Sequence, residues 1–202
     1  MIAVIDYGVG NLFSLRSSLR RLGLDAAVTA DPARIRAADR IILPGVGAFG
    51  DAMDKLRAAG LVPVLRQEAA QKPLLGICLG MQLLFEESEE YGLHPGLGLL
   101  KGRVVAMEGR LPAGLPIPHI GWNGLRLVKS DCPLFRETKD GDCVYFVHSY
   151  YAEGCGDALA ATAEYGLDLT ATVWKDNVYG CQFHPEKSGP VGLRMLRAFV
   201  EV

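Results

Sequence analysis

Hydrophobic and polar positions follow two alternating rhythms along the first half of the chain. Short apolar runs at residues 2–5, 26–29, 40–43 and 74–77 suit buried strands. Between them, apolar residues at helical spacing cover 11–22, 51–59 and 62–71. Just after the run at 74–77 come good helix formers with apolar positions at Met81, Leu84 and Phe85, which predicts an amphipathic helix starting there. Alternation of this kind predicts a central, mostly parallel sheet covered by helices on both faces. Beyond Tyr91 the texture changes. Gly92, Pro95, Gly96 and Gly98 mark a loop, and strand-like runs follow at 103–107, 125–128, 144–147, 158–162, 170–174 and 178–183. A closing helix over 191–200 places Leu193, Leu196 and Val200 on one face. No repeat, linker or low-complexity tract interrupts this order. The expectation is one α/β domain over 1–202 with a strand-rich second half.

Composition narrows the class without naming a chemistry. The 202 residues can bury one substantial core, and a formal net charge of -2 gives no support to a nucleic-acid-binding surface or a disordered acidic tail. No apolar stretch reaches the length of a membrane span, and the start, Met1-Ile2-Ala3-Val4-Ile5, has no basic leader and reads as a first strand. The five cysteines are odd in number and form no C-x-x-C pair, and the four histidines show no zinc-ligand spacing. Reduced thiols in a cytoplasmic protein without a metal fit that pattern.

One cysteine stands at a corner. Gly76-Ile77-Cys78-Leu79-Gly80 has the form G-x-C-x-G, a strand-to-helix turn that exposes a nucleophile between small residues. There the N–H groups at a helix start favour a thiolate, and the N–H of Leu79 would face an oxyanion forming on an attacked carbonyl. A buried structural cysteine is the other reading of the same five residues. A thiol nucleophile needs a base and the base an orienter. "CQFHPEKSG" supplies both in extended geometry, with His184 and Glu186 on the same side of the chain and Pro185 stiffening the spacing. Cys181 is a rival thiol, but its place in the strand before His184 suits burial. The glycine-rich Pro44-Gly45-Val46-Gly47, directly after a strand, is either a tight turn or the backbone wall of a ligand crevice.

Together, the G-x-C-x-G corner and the downstream F-H-P-E resemble the class I (triad) glutamine amidotransferases, and the likeness runs from "DYGVGNL" to the last helix. "PHIGWN" and "HPEKSG" resemble in particular the branch that supplies ammonia to a cyclase of histidine biosynthesis. That resemblance implies a glutaminase with Cys78 as nucleophile, His184 as acid and base, and Glu186 as its orienter. It implies an oxyanion hole from the backbone N–H groups of Leu79 and Val46. It also implies a glutamine pocket built from Gly47, Gln82, Glu90, His148, Ser149 and Tyr150. Glu90 stands in the run Glu86-Glu87-Ser88-Glu89-Glu90, and such runs are commonly solvated; His148 could equally be a satisfied structural histidine. The implied partner is a cyclase subunit with a (β/α)₈ barrel, met near Asn11, His119, Trp122 and Asn123. No cofactor is implied. A tryptophan beside Gly121 and Asn123 is a candidate interface anchor, or else a core residue.

Three other readings compete. Gly8-Val9-Gly10 opens like a dinucleotide-binding fingerprint, but Phe13 occupies its third glycine and would block phosphate approach. Other glutaminases, serving anthranilate, guanylate or vitamin B6 synthesis or cleaving γ-glutamyl peptides, share the corner. A non-catalytic module keeping the fold would have no chemical reason to retain Cys78, His184 and Glu186 together.

Overall fold

The computed structural model describes all residues, 1–202. In chain order the elements are β1 (Ile2–Ile5), α1 (Leu12–Arg21), β2 (Ala26–Thr29), α2 (Pro32–Ala37), β3 (Arg40–Gly45), α3 (Phe49–Ala58), α4 (Leu61–Ala69), β4 (Leu74–Cys78) and α5 (Leu79–Gln82). The second half adds β5 (Glu87–Ser88), β6 (His94–Pro95), β7 (Arg103–Ala106), β8 (His119–Leu127), β9 (Cys143–His148), β10 (Tyr150–Glu153), β11 (Leu159–Glu164), β12 (Asp168–Lys175), β13 (Val178–Cys181) and α6 (Gly189–Val200).

Nine strands form one sheet in the order β2-β1-β3-β4-β13-β12-β11-β8-β9. The pairs from β2 across to β13 are parallel, and those from β13 to β9 are antiparallel. The expected parallel sheet thus occupies one half, and the strand-rich second half extends it. A smaller sheet, β10-β7-β5-β6, packs beside it. The apolar runs of β1, β3 and β4 are buried on both faces, as helices on either side require. One hydrophobic cluster lies under α3 and α4, and a second under α1 and α6.

Local chemistry sets the helix ends. In α1, Leu15 and Leu19 face the core, and the Asn11 side chain caps the first turn by accepting from the Ser14 N–H at 3.4 Å. Helix α2, which the apolar spacing does not announce, starts at Pro32, with Asp31 capping it through the Ala33 N–H at 2.9 Å. Helix α3 has no side-chain cap from its own N-cap residue, Ala48. Its first N–H, at Phe49, donates instead to the Glu90 carboxylate at 2.6 Å.

The helix expected from Met81 onward is not formed. α5 spans a single turn, Leu79–Gln82. The loop after β6 takes the carbonyls that a longer helix would use: Leu97 N–H donates to Leu83, Leu99 N–H to Leu84 and Gly98 N–H to Phe85, at 2.8–2.9 Å. No helix is long and apolar enough to cross a membrane.

Candidate active site

Three segments distant in sequence meet because β3, β4 and β13 are adjacent, parallel strands ending at the same edge. Gly45, at the end of β3, lies directly across the ladder from Cys78. His184 follows β13 by three residues. The carboxyl edge of a parallel sheet is where ligands bind in open α/β folds.

The corner is a strained one. Cys78 has φ 55 and ψ -114, a backbone conformation that costs a non-glycine residue about 1–3 kcal/mol. Its glycine neighbours make the turn possible. A Cβ on Gly80 would stand 1.8 Å from the Leu43 carbonyl oxygen, and one on Gly76 would stand 2.6 Å from that of Gly80. The turn thereby presents Cys78 to a cavity of about 550 Å³.

His184 faces the same cavity and is itself 3 % exposed. Its Nδ1 lies 2.8 Å from Glu186 Oε1, so an Nδ1–H donates to the carboxylate and leaves Nε2 for the thiol. The pairing does not come from strand alternation, as the spacing suggests. β13 ends at Cys181, and Glu186 sits in a 3₁₀ turn, Pro185–Lys187, which folds the carboxylate back under the ring. The segment is fixed to β9: His184 N–H donates to the Tyr145 carbonyl at 3.0 Å, and the Ser188 hydroxyl donates to the His184 carbonyl at 2.6 Å while accepting from the Tyr145 N–H. Burial works against protonation of the imidazole. The hydrogen bonds and charges of Cys78 and Glu186 outweigh it and raise the His184 pKa to about 9.

Gln182 is part of this site, though the sequence reading did not single it out. Its Nε2 donates to Cys78 Sγ at 3.7 Å, and its Oε1 accepts from Gln82 Nε2 at 3.0 Å. Gln82 Nε2 also donates to the Tyr150 carbonyl at 3.0 Å. Both amide hydrogens of Gln82 are therefore used, leaving its oxygen for a ligand. Gln182 lies within "CQFHPEKSG", but strand alternation gives no sign that it would reach the thiol. Cys181, the rival thiol, is buried with Sγ 3.9 Å from the Gly76 carbonyl, does not line the cavity, and has its pKa pushed well up by burial.

The other expected pocket residues divide by what they offer. Val46, Gly47 and Leu79 line the cavity beside Cys78, and Gly47 has φ +98. Ser149 and Tyr150 line it as well. Glu90 is buried in the wall rather than solvated with its charge run, and burial raises its pKa against the Phe49 N–H and His94, which lower it. His148 also lines the cavity, but both ring nitrogens are occupied: Nδ1–H donates to the Tyr150 carbonyl at 2.9 Å, and Nε2 accepts from His119 Nδ1 at 3.1 Å. Burial holds His148 neutral, with its pKa lowered to about 3. Tyr91, Glu108, Ile117, Val147 and Lys187 complete the lining without having been expected there.

The residues expected at a partner face do not form one class. Trp122 is 58 % exposed, not a core residue, and packs edge-on against Tyr145 at 6.1 Å. Asn123 donates to the Glu164 carbonyl at 2.7 Å, and Asn11 is the α1 cap. His119 corrects the expectation. It is 3 % exposed, with its ring stacked between Phe146 and Tyr165, so its side chain supports His148 from within instead of facing a partner. No three His, Cys, Asp or Glu side chains are grouped to hold a metal ion.

Comparison with known proteins bears on what this arrangement is. Residues 3–202 match the family "Glutamine amidotransferase class-I". The chain is 50% identical over 204 residues to imidazole glycerol phosphate synthase subunit HisH of Syntrophotalea carbinolica, covering 98% of each. It is 53% identical over 203 residues to the protein of that name from Bacillus licheniformis, covering 98% of this chain and 95% of the relative. Among solved structures, one described as a glutamine amidotransferase superposes with a TM-score of 0.76 at 22% identity, covering 100% of this chain and 98% of the other. PurLQS from Thermotoga maritima superposes with a TM-score of 0.75 at 21% identity, covering 99% and 97%. At that identity the two structures speak for the fold alone.

Proposed function

We propose, for a chain that belongs to the class I glutamine amidotransferase family, that it is the glutaminase subunit of an imidazole glycerol phosphate synthase. The observation that carries this reading is the Cys78 corner sharing one cavity with a His184 held by Glu186. Identity near 50% over almost the full length of proteins bearing that name supports the choice of branch.

The chemistry follows from the residues as a two-step acyl transfer. Cys78 Sγ attacks the side-chain amide carbon of glutamine, a C–S bond forms, and the carbonyl electrons move onto oxygen. The N–H groups of Leu79 and Val46 are the donors for that oxyanion; each such donor is worth about 3–4 kcal/mol in comparable sites. As the C–N bond breaks, His184 gives its proton to the departing ammonia. Water then attacks the thioester, returns a proton to His184, and glutamate leaves as the C–S bond breaks. Glu186 holds the ring and stabilises the imidazolium, and the Gln182 amide stabilises the thiolate.

For substrate recognition, Gln82 offers an acceptor, Glu90 a carboxylate for the substrate ammonium, and Gly47, Ser149 and Tyr150 the remaining wall. His148, with both nitrogens occupied, shapes the pocket without adding a cation. Ammonia passes to a cyclase subunit with a (β/α)₈ barrel, in a heterodimer working in the cytoplasm. Asn11, Trp122 and Asn123 lie near the contact. The test is glutamate release by the purified chain, alone and with the cyclase and its ligand. A rise of orders of magnitude on mixing is expected. A full rate without the cyclase would make the chain an independent hydrolase. In the same assay Cys78→Ala abolishes release and Cys181→Ala leaves most of it; the reverse would overturn the triad.

A further inference from the structure

The segment Asp6-Tyr7-Gly8-Val9-Gly10 carries a buried polar contact beside the Cys78 corner. The β1–β3 ladder ends at Val4 and Ile42, and the chain then turns toward β2, with the Asp6 N–H donating to the Thr29 carbonyl at 3.0 Å. On the β3 side pairing with β4 continues to Gly45 and Cys78. The Pro44 carbonyl therefore stands beyond the last backbone donor that β1 offers. The Tyr7 hydroxyl takes its place, donating to the Pro44 carbonyl at 2.8 Å.

That hydroxyl is wedged at the crowded centre of the corner. A Cβ on Gly45 would stand 2.8 Å from the Tyr7 oxygen, 2.8 Å from the Gly80 nitrogen and 3.0 Å from Leu79 Cβ. The next loop closes over the same proline, since a Cβ on Gly10 would meet the Pro44 ring at 3.3 Å. Burial and the Cys78 charge both raise the Tyr7 pKa, so the phenol remains a protonated donor.

We infer that Tyr7 is a positioning residue for acyl transfer: its hydroxyl fixes the Pro44 carbonyl, and with it the Gly45-Val46-Gly47 backbone, against the Cys78 corner. The inference rests on the proposed Cys78 chemistry and deepens it. Tyr7 does not line the cavity, and its hydroxyl bonds to the Pro44 carbonyl rather than to the thiol. It sets where the peptide opposite Cys78 stands, and a displaced donor loses its effect on an oxyanion steeply.

Two reactions of the thiol separate this role from general damage. Acylation of Cys78 by p-nitrophenyl acetate develops an oxyanion; alkylation by iodoacetamide displaces iodide and develops none. In the full chain, Tyr7→Phe keeps the ring and removes one donor. The ratio of acylation to alkylation rates is expected to fall about tenfold or more. Tyr7→4-aminophenylalanine, which restores a donor at that place, is expected to recover most of the ratio. An unchanged or higher ratio in Tyr7→Phe would overturn the inference, as would an equal loss in both reactions. If Tyr7→Phe does not fold, a wild-type ratio in the 4-amino variant supports the role and a tenfold loss overturns it. Neither reagent is glutamine, so failure of the wild-type chain to hydrolyse glutamine would sink the proposed function while this comparison still decides the role of Tyr7.

Discussion

Holding the His184 proton up to about pH 9 ties two measurable quantities to one imidazole. Replacing Glu186 by Gln keeps a hydrogen-bond acceptor near Nδ1 and removes the charge. The alkaline limb of glutamine hydrolysis is then expected to move to lower pH by about one unit, the usual effect of losing an adjacent opposite charge. The sign for stability is the same. The native state retains a proton that an ordinary histidine releases near 6.5, so this group's contribution is complete below that pH and is lost as pH rises through about 9. A pH series of denaturant midpoints should fall across that window in the wild type and less steeply in Glu186→Gln. An unchanged slope would mean that another group holds the proton. The corner itself makes a sharper demand, because Gly80 has no room for a methyl group 1.8 Å from the Leu43 oxygen. Gly80→Ala is expected to destabilise the chain by about 3 kcal/mol or more, measured by urea unfolding, and to abolish Cys78 reactivity toward glutamine.

Elements were legible where one face or both had to be apolar, and obscure where the backbone found distant partners. The runs at β1, β3 and β4 announce themselves because both faces are covered. The stretch after Cys78 reads as a long helix from its side chains alone. Its carbonyls are claimed by residues 96–100, arriving from a loop that no local pattern foretells. β8 hides behind His119-Ile120-Gly121-Trp122-Asn123, which lacks an apolar run; pairing with β9 from His119–His148 to Gly124–Cys143 makes it a strand. At the site, the meeting of Cys78, His184 and Glu186 was legible because a thiol at a strand-to-helix corner and an H-x-E pair after a strand stand out as residue types in sequence. Gln182 was not, because its reach to Sγ depends on where β13 ends. Glu90 shows how an element can borrow a residue. Its carboxylate both caps α3 through Phe49 and lines the cavity. Glu90→Gln is therefore expected to lower stability by about 1 kcal/mol, as loss of a charged cap does, and separately to raise KM for glutamine. A raised KM at unchanged stability would leave recognition as its only role.

At the scale of the whole molecule, the sheet brings the Cys78 corner and His184 to one edge, while β8 and β9 carry a second surface close beside them. Trp122 and Ile120 are each 58 % exposed on β8, an unusual place for such side chains on a surface without a partner. Trp122 leans on Tyr145, and the Lys187 ammonium lies 5.9 Å from the centre of the same ring. The Tyr145 carbonyl in turn holds the His184 backbone N–H. The surface proposed to meet the cyclase is thus bonded directly to the segment that carries His184. An exposed tryptophan supported by a second aromatic ring has the makings of an interface anchor, and truncating such an anchor costs about 2 kcal/mol or more. Trp122→Ala is expected to weaken cyclase binding roughly thirtyfold by calorimetry. Trp122 does not line the cavity that holds Cys78 and His184, so the chain alone should keep its basal turnover, and saturating cyclase should restore the stimulated rate. Unchanged affinity would remove Trp122 from the interface. Weakened affinity with a stimulated rate that stays low at saturation would mean that the Trp122–Tyr145 contact transmits partner binding to His184, beyond anchoring the partner.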